Sequence, residues 1–201
     1  MENKSMSFNV NYSSDFDNVG SFKVCPFTSI DNLINELGGK SFNHGIYRIC
    51  NTKNMNNITS ICEEYFPKLK NRILAFSYDW LGRVFCIQKK EPNIILLIEP
   101  GAGDALEIPG NIDRFHNEVL VQYANEALAK DFYEEWYSKT NTSPKYSTCI
   151  GYKIPLFLNG ADEITNLEEI DFEVYFSICS QLWNKTRNLK SGQSIKSITI
   201  N

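Results

Sequence analysis

The chain has 201 residues, of which 42% are hydrophobic and 13% are aromatic. A chain of this length buries about 70% of its unfolded surface, so it needs no disulfide or metal to fold. The formal net charge of -4 at pH 7 excludes the overall basic field on which non-specific nucleic-acid binding depends. The sequence offers neither a run of about 20 apolar residues nor the apolar centre of a signal peptide, so we expect a cytoplasmic protein without membrane contact.

The first 25 residues are rich in Asn and Ser and predict a partly ordered arm. "FTSIDNLINELGG" predicts a helix, because Thr28 or Ser29 can cap its free amides, Asp31 favours its positive end and two glycines end it. "KSFNHGIYRIC" predicts one or two short strands. "NTKNMNNITSICEEYFPKLK" predicts a second helix that ends at Pro67.

Four short apolar runs follow, namely "RILAFSY", "RVFCIQK", "IILLIEP" and "DALEIPG". The connectors between them, which include "EPN" and "PGAG", are too short for parallel crossovers and predict antiparallel pairing. Asp79 can form an Asx turn, Gly82 can adopt a positive φ, and Arg83 can pair with Asp79. We expect Trp80 to lie at this corner with its ring folded over the end of the core.

Helical spacing returns after Pro109, with apolar residues at three- and four-residue steps: Phe115, Val119, Tyr123, Ala127, Leu128, Phe132 and Trp136. "TNTSPKYST" is the best candidate for a linker, and "CIGYKIPLFLNGADE" predicts an irregular buried segment or a strand ending in a turn. "DFEVYFSICSQLWNKTRNL" predicts a last helix with Asp171 as its N-cap. Its buried stripe is expected to be Val174, Tyr175, Ile178, Cys179, Leu182 and Trp183. "SIKSITIN" can form a closing edge strand.

This order of elements predicts an α+β fold in which an antiparallel meander of about four or more strands carries helices packed on one face. We expect an arm at 1–25, a region of helices and meander at 26–110 and a helical region at 111–201. The two larger regions are expected to form one compact unit.

The sequence contains no motif that indicates a chemical reaction. The six cysteines lack C-x-x-C spacing and lie mostly among apolar residues, so we expect reduced, buried thiols and no zinc site: Cys25, Cys50, Cys62, Cys86, Cys149 and Cys179. His44 is expected at a turn and His116 on a helix flank, although a hydrolase with a Cys-His pair stays open. "PGAG" is followed by a strand rather than a helix, so it indicates a hairpin turn and not a phosphate loop. No cofactor or metal is expected.

Two groups of residues remain as candidates. The first consists of carboxylates that can contact a partner: Glu99, Asp104, Glu107, Asp162, Glu163, Glu168 and Glu169. The second consists of residues that corners of the chain demand: Trp80, Gly82, Gly101, Gly103, Gly151, Pro155 and Gly160.

Several stretches, taken in order, resemble a bacterial family that joins a GAD-like N-terminal region to the C-terminal region of type VI secretion immunity proteins, near the SUKH group of toxin-immunity domains. They are "GGKSFNHGIYRI", "ILAFSYDWLGRVFCI", "LIEPGAGDALEIP", "FHNEVLVQYANEAL" and "CIGYKIPLFLNGADEITNLEEIDFEVYFSICSQL". The resemblance runs from about Asn32 to Trp183. It implies a non-enzymatic protein that binds and blocks a cognate toxin in the cytosol, with a type VI nuclease effector as one candidate.

The net charge and the carboxylates then predict an acidic surface that meets a basic region of that toxin. One alternative is a small-molecule or nucleotide-binding regulatory module that uses the hollow beside Trp80 and the "PGAG" turn. The sequence does not specify the oligomeric state.

Overall fold

The computed structural model describes Phe8, Tyr12 and residues 27–189. The rest of the arm predicted at 1–25 lies outside the described residues, as do Cys25 and the edge strand predicted from "SIKSITIN". Within the described part, the α+β prediction is confirmed, because a six-stranded antiparallel sheet has helices before and after it in sequence.

The first helix, α1, spans Ile30–Leu37, and its predicted cap is confirmed. The side chain of Ser29 accepts a hydrogen bond from the backbone N–H of Asn32 at 3.1 Å. Its apolar positions are all buried against the core: Ile30, Leu33, Ile34 and Leu37. Local capping chemistry and a helical stripe are therefore sufficient to define this element.

The main sheet is a meander in which each strand pairs antiparallel with the next one along the chain. Its strands are β1 Ser41–Phe42, β2 Tyr47–Ile49, β3 Ile73–Asp79, β4 Val84–Gln88, β5 Glu91–Glu99 and β6 Asp104–Pro109. The second helix, α2, spans Met55–Tyr65 and lies between β2 and β3 in the sequence. The four strands predicted from the apolar runs are confirmed.

The predicted "EPN" connector is wrong by two residues. The turn falls on Lys89 and Lys90, and β5 already begins at Glu91. Proline is tolerated there because the register between β4 and β5 shifts next to Gln88, so Pro92 lies in an irregular part of the ladder where no N–H is required.

Helices cover both faces of the main sheet, so the expectation of a single covered face is wrong. Phe85 of β4 packs against Phe115 with ring centroids 4.9 Å apart. The next residue, Cys86, approaches Cys62 of α2. Successive side chains of a strand point to opposite faces, so helical residues lie above and below β4.

The helical part after β6 is broken into short pieces. They are α3 Ile112–Arg114, a π-helical turn Phe115–Val119, α4 Leu120–Gln122, α5 Ala124–Leu128 and α6 Lys130–Thr140. The backbone leaves helical geometry at Tyr123 and adopts a left-handed conformation at Ala129. Tyr123, which helical spacing predicts to be buried, is consequently exposed.

A second, two-stranded antiparallel sheet consists of β7 Thr148–Tyr152 and β8 Leu167–Asp171. The last helix, α7, spans Phe172–Thr186, and its predicted N-cap is confirmed because Asp171 Oδ1 accepts from the N–H groups of Glu173 and Val174. Val174 is exposed rather than buried. It lies in the first turn, where the chain has just left the second sheet.

Arg48 ties the second sheet to the main one. It lies on β2, is fully buried, and donates to the carbonyl oxygens of Lys145, Thr148 and Asp79. The proposed linker "TNTSPKYST" is thus held against the main sheet by a buried cation whose hydrogen bonds go to main-chain oxygens. The Nη1 and Nη2 donors are bonded in this way, and the guanidinium carbon lies 4.8 Å from the centre of the Tyr78 ring, so these contacts offset the cost of burying the charge.

Candidate functional site

The corner between β3 and β4 is built around Asp79. Its Oδ1 atom accepts from the backbone N–H groups of Leu81 at 3.0 Å and Arg83 at 2.9 Å, which forms the predicted Asx turn. Gly82 completes the corner with a φ of 76°, a conformation that favours glycine. Asp79 itself is fully buried.

Arg83 supplies the counter-charge, as the sequence predicts. Its Nε atom lies 2.6 Å from Asp79 Oδ2, and its Nη1 atom lies 2.9 Å from Glu99 Oε1 on β5. Nη2 donates to the carbonyl oxygen of Ala127 at 3.0 Å. Burial lowers the pKa of Arg83, but the two carboxylates raise it above its ordinary value. The guanidinium therefore stays charged, and each of its three nitrogen atoms makes one hydrogen bond.

Trp80 fills the space behind this corner. The side chain is fully buried, and its indole N–H donates to the carbonyl oxygen of Leu128 at 2.9 Å. Its ring packs against Phe132, Tyr133 and Trp136 of α6, with centroids 5.2 to 5.9 Å away. Trp80 therefore joins the β3–β4 corner to the helical region.

The glycines at the corners leave room for one aromatic ring. A Cβ added at Gly151 would lie 2.6 Å from the ring of Tyr175, and one added at Gly101 would lie 2.7 Å from the Tyr175 hydroxyl oxygen. At Gly82 the same ring would lie 3.3 Å away. Gly151 lies within β7 rather than at a corner, so Tyr175 of α7 packs against two corners and one strand that are far apart in sequence.

The remaining corner residues serve other close approaches. A Cβ at Gly103 would lie 2.6 Å from Trp183, and one at Gly160 would lie 1.8 Å from the carbonyl oxygen of Ile154. Pro155 is buried, and its carbonyl oxygen accepts from the N–H of Gly160 at 3.1 Å.

A small pocket, here termed the corner pocket, opens where these corners meet. It has a volume of about 230 Å³. Its lining includes Arg83, Glu99, Gly101, Tyr152, Asp162 and Tyr175. Each Arg83 nitrogen already makes one hydrogen bond, and two carboxylates face this single guanidinium. The pocket therefore suits a cationic group rather than an anion.

Glu99 and Asp162 are the predicted contact carboxylates that the structure brings into this pocket. Asp162 accepts a hydrogen bond from the Tyr152 hydroxyl at 2.6 Å. Tyr152 is not predictable as a pocket residue, because a tyrosine beside a glycine gives no sequence signal that distinguishes a pocket wall from an ordinary strand position.

The other predicted carboxylates lie elsewhere. Asp104 and Glu107 are exposed on β6, which is an edge strand of the main sheet. Glu163 is exposed in the loop before β8, and Glu168 and Glu169 are exposed on β8. Glu169 accepts from the Thr148 hydroxyl at 2.7 Å.

The described histidines occupy two different environments. His44 lies at a turn with a φ of 61°, as predicted. His116 lies in the π-helical turn and is fully buried, with Nε2 2.9 Å from the Tyr47 hydroxyl and Nδ1 2.7 Å from the carbonyl oxygen of Ile112. Burial lowers the pKa of His116 to about 4, so its ring is neutral at pH 7.

The five cysteines within the described residues are buried and free, as the sequence predicts: Cys50, Cys62, Cys86, Cys149 and Cys179. Burial raises the pKa of Cys179 to about 12 and that of Cys149 well above its ordinary value. These thiols are protonated at neutral pH, the opposite of what an activated nucleophile requires.

Within Phe8, Tyr12 and 27–189, no group of three or more His, Cys, Asp or Glu residues is arranged to hold a metal ion.

A larger cavity of about 620 Å³ lies between the starts of α2 and α7. Its polar walls are bonded to each other. Asn57 Nδ2 donates to Glu173 Oε1 at 2.6 Å, and Asn54 Nδ2 donates to the Tyr146 hydroxyl at 3.3 Å. Mutual satisfaction of this kind leaves few polar groups for a ligand.

Comparison with known proteins points to one family. Residues 111–183 match the family model described as T6SS immunity protein Tdi1, C-terminal. This part of the chain is thus similar to the C-terminal part of a type VI secretion immunity protein. No curated protein matches the chain.

The fold is similar to the crystal structure of Atu4351 from Agrobacterium tumefaciens, with a TM-score of 0.53 and 16% sequence identity. The similarity covers 78% of this chain and 75% of that chain, and at this identity it indicates a shared fold only. Among the described residues, no helix is both long and apolar enough to cross a membrane.

Proposed function

We propose that this chain is a non-enzymatic type VI immunity protein that binds and neutralises a cognate secreted toxin in the bacterial cytosol. The observation that carries the proposal is the match of residues 111–183 to the Tdi1 C-terminal model. The neutral, doubly bonded His116 and the protonated buried thiols are consistent with action by binding rather than by turnover. We retain a nuclease effector as the candidate toxin.

The finer family placement belongs to the same proposal. We propose that residues 26–110 form a GAD-like region related to the SUKH group, and that 111–201 form the immunity-type region. The support is the ordered series of stretches that runs through both regions. The contacts of Trp80 with Leu128, and of Tyr175 with Gly82 and Gly101, cross between the two regions and support one compact unit.

The predicted carboxylates supply contacts in this proposal. The corner pocket contains two carboxylates, Glu99 and Asp162, but one guanidinium, that of Arg83, which is already paired with Glu99. This excess of negative charge suits a lysine or arginine side chain of the toxin. At about 230 Å³ the corner pocket is smaller than the 300–1,000 Å³ typical of small-molecule sites. This size favours a side chain of a protein partner over a metabolite.

Co-expression with the toxin encoded next to this chain tests the proposal. The intact chain should restore growth of a sensitive strain and co-purify with the toxin. Charge reversal of Asp162 and Glu163, or of Glu168 and Glu169, should weaken protection. Reversal of Glu36 and Glu64, which changes the net charge equally at other exposed positions, is the matched control.

Two failures have different meanings. If the intact chain neither protects nor co-purifies, the immunity assignment is wrong for that toxin. If it protects and both reversed pairs protect equally well, the acidic contacts are wrong and the assignment stands.

A further inference from the structure

An apolar groove lies between the edge strand β6 and the broken helical segment that follows it. We call it the edge groove, and it has a volume of about 430 Å³. Its apolar lining comprises Leu97, Leu106, Ile108, Val119, Tyr123 and Ala127. Within the described part of the chain, five large apolar side chains are exposed, and two of them line this groove: Leu106 at 45% and Tyr123 at 54%.

The exposure of Tyr123 follows from the backbone. Helical spacing from Phe115 and Val119 would place this ring on the buried stripe. The π-helical turn Phe115–Val119 adds a residue to one turn, which rotates later side chains by about 100°. The backbone then leaves helical geometry at Tyr123 itself. The ring is thus directed outward by two local irregularities, and π-helical turns are frequent at functional sites.

The edge of β6 does not favour an added strand. The backbone N–H of Gly110 donates to the carbonyl oxygen of Asn93 on β5. Backbone groups alternate in direction along a strand, so those of Ala105, Glu107 and Pro109 point away from β5, toward the open edge of the sheet. Pro109 has no N–H, and the N–H of Ala105 is bonded to Asp104 Oδ1 at 2.8 Å. Proline and charge on an edge strand oppose strand pairing. An occupant of the groove therefore docks through side chains, as a helix or a loop does.

Charges at the rim specify the occupant further. Glu107 and Glu126 lie at the rim, and the one arginine among the lining residues, Arg114, is paired with Glu118 at 2.9 Å. The rim is therefore acidic. A second copy of this chain, with a net charge of -4, would bring two acidic rims together in a two-fold contact. A basic partner relieves that repulsion.

We propose that the edge groove is the anchoring surface for the toxin, and that it takes a helix or loop whose apolar side chains are flanked by lysine or arginine. This inference rests on the proposed function. Leu106 and Tyr123 contact the apolar side chains, while Glu107 and Glu126 contact the basic ones. Exposed aromatic residues in such a setting commonly supply most of the binding energy.

The test measures the affinity of the full chain for the catalytically inactivated toxin from the neighbouring gene. Leu106→Arg and Tyr123→Ser should each raise Kd at least about tenfold, because each removes an anchor of the interface. The matched controls are Leu189→Arg and Val174→Ser, which alter exposed apolar side chains outside the groove and should stay within about twofold of the original Kd. Thermal melts establish that each variant is folded.

Charge reversal at the rim provides a second measurement that does not change the apolar lining. Glu107→Lys together with Glu126→Lys should slow association and flatten its dependence on salt. If the intact chain does not bind the toxin, the proposed function is wrong. If it binds and the groove variants bind as tightly as the controls, the edge groove is not the anchoring surface, although the immunity function stands.

Other occupants of the groove give distinct results. A concentration-dependent dimer seen by light scattering without toxin, and lost in Tyr123→Ser, would assign the groove to a second copy. A chain ending at residue 189 that binds the toxin more tightly than the full chain would assign it to residues 190–201. Either result overturns the proposal.

Discussion

Replacing Arg83 by methionine removes the cation from the buried network at the β3–β4 corner and keeps a long apolar side chain. Asp79 retains its bonds from two backbone N–H groups but loses the Arg83 Nε atom at 2.6 Å. Breaking a buried pair on one side costs about 3–5 kcal/mol because a charge remains buried without its partner. A domain of this size loses about 2–4 °C of Tm per kcal/mol, so we expect Tm to fall by about 6–20 °C.

The pH dependence of this variant identifies the cause. Burial raises the pKa of Asp79, and Arg83 opposes that rise in the intact protein. Without Arg83, the Asp79 carboxyl of the folded variant keeps its proton from about pH 4 up to its raised pKa. In the unfolded chain the same carboxyl has lost its proton over that range. Folding of the variant is therefore favoured as the pH falls. Its stability deficit against the intact protein should shrink between pH 7 and pH 5.

Guanidinium unfolding followed by tryptophan fluorescence at the two pH values measures both effects. The double variant Asp79→Asn with Arg83→Met is the control, since it removes both charges and should be more stable than Arg83→Met. A loss below about 1 kcal/mol for Arg83→Met at pH 7, or a loss that does not change with pH, would refute the reasoning.

Two further predictions concern buried groups. Burial lowers the pKa of His116 to about 4 from about 6.5 in an unfolded chain, so the unfolded state binds more protons between these values. The free energy of unfolding should fall by about 2–3 kcal/mol as the pH drops from 7 to 4, and an unchanged pH profile in His116→Gln would contradict this. Gly151→Ala places a Cβ 2.6 Å from Tyr175 and should cost about 1–3 kcal/mol in denaturant unfolding. Combining it with Tyr175→Leu should reduce that cost, and equal costs in both backgrounds would rule out the clash.

The features that the sequence predicts correctly are set by local chemistry. The cap at Ser29, the Asx turn at Asp79 and the cap at Asp171 each depend on a side chain that bonds to backbone within four residues. Pairing of the meander follows from short connectors. Such features need no knowledge of the rest of the fold.

The features that the sequence does not predict depend on distant contacts. "LEEID" forms β8 although its carboxylates indicate a solvated run, because β7 pairs with it from a distant part of the chain, from Tyr152 opposite Leu167 to Thr148 opposite Asp171. Tyr123 and Val174 match helical stripes but are exposed, since helix breaks and the helix start override the spacing. The burial of Arg48 follows from carbonyl oxygens about 100 residues away.

The candidate site was predicted only in fragments for the same reason. The sequence indicates Glu99 and Asp162 only as members of a long series of carboxylates, and the fold places them in one pocket. The apolar edge groove gave no sequence signal, because Leu106 continues an ordinary strand pattern and Tyr123 continues an ordinary helical one.

Tyr175 has a consequence for how the chain is made. Its ring fills space left by Gly82, Gly101 and Gly151, yet it emerges from the ribosome long after the first two of these glycines. At about 5–20 residues per second, the roughly 70 residues between Gly101 and Tyr175 take about 4–15 s to synthesise. The nascent meander spends that interval with its glycine corners uncovered. Newly made chains are therefore most exposed to chaperones and proteases during those seconds, before α7 completes the molecule.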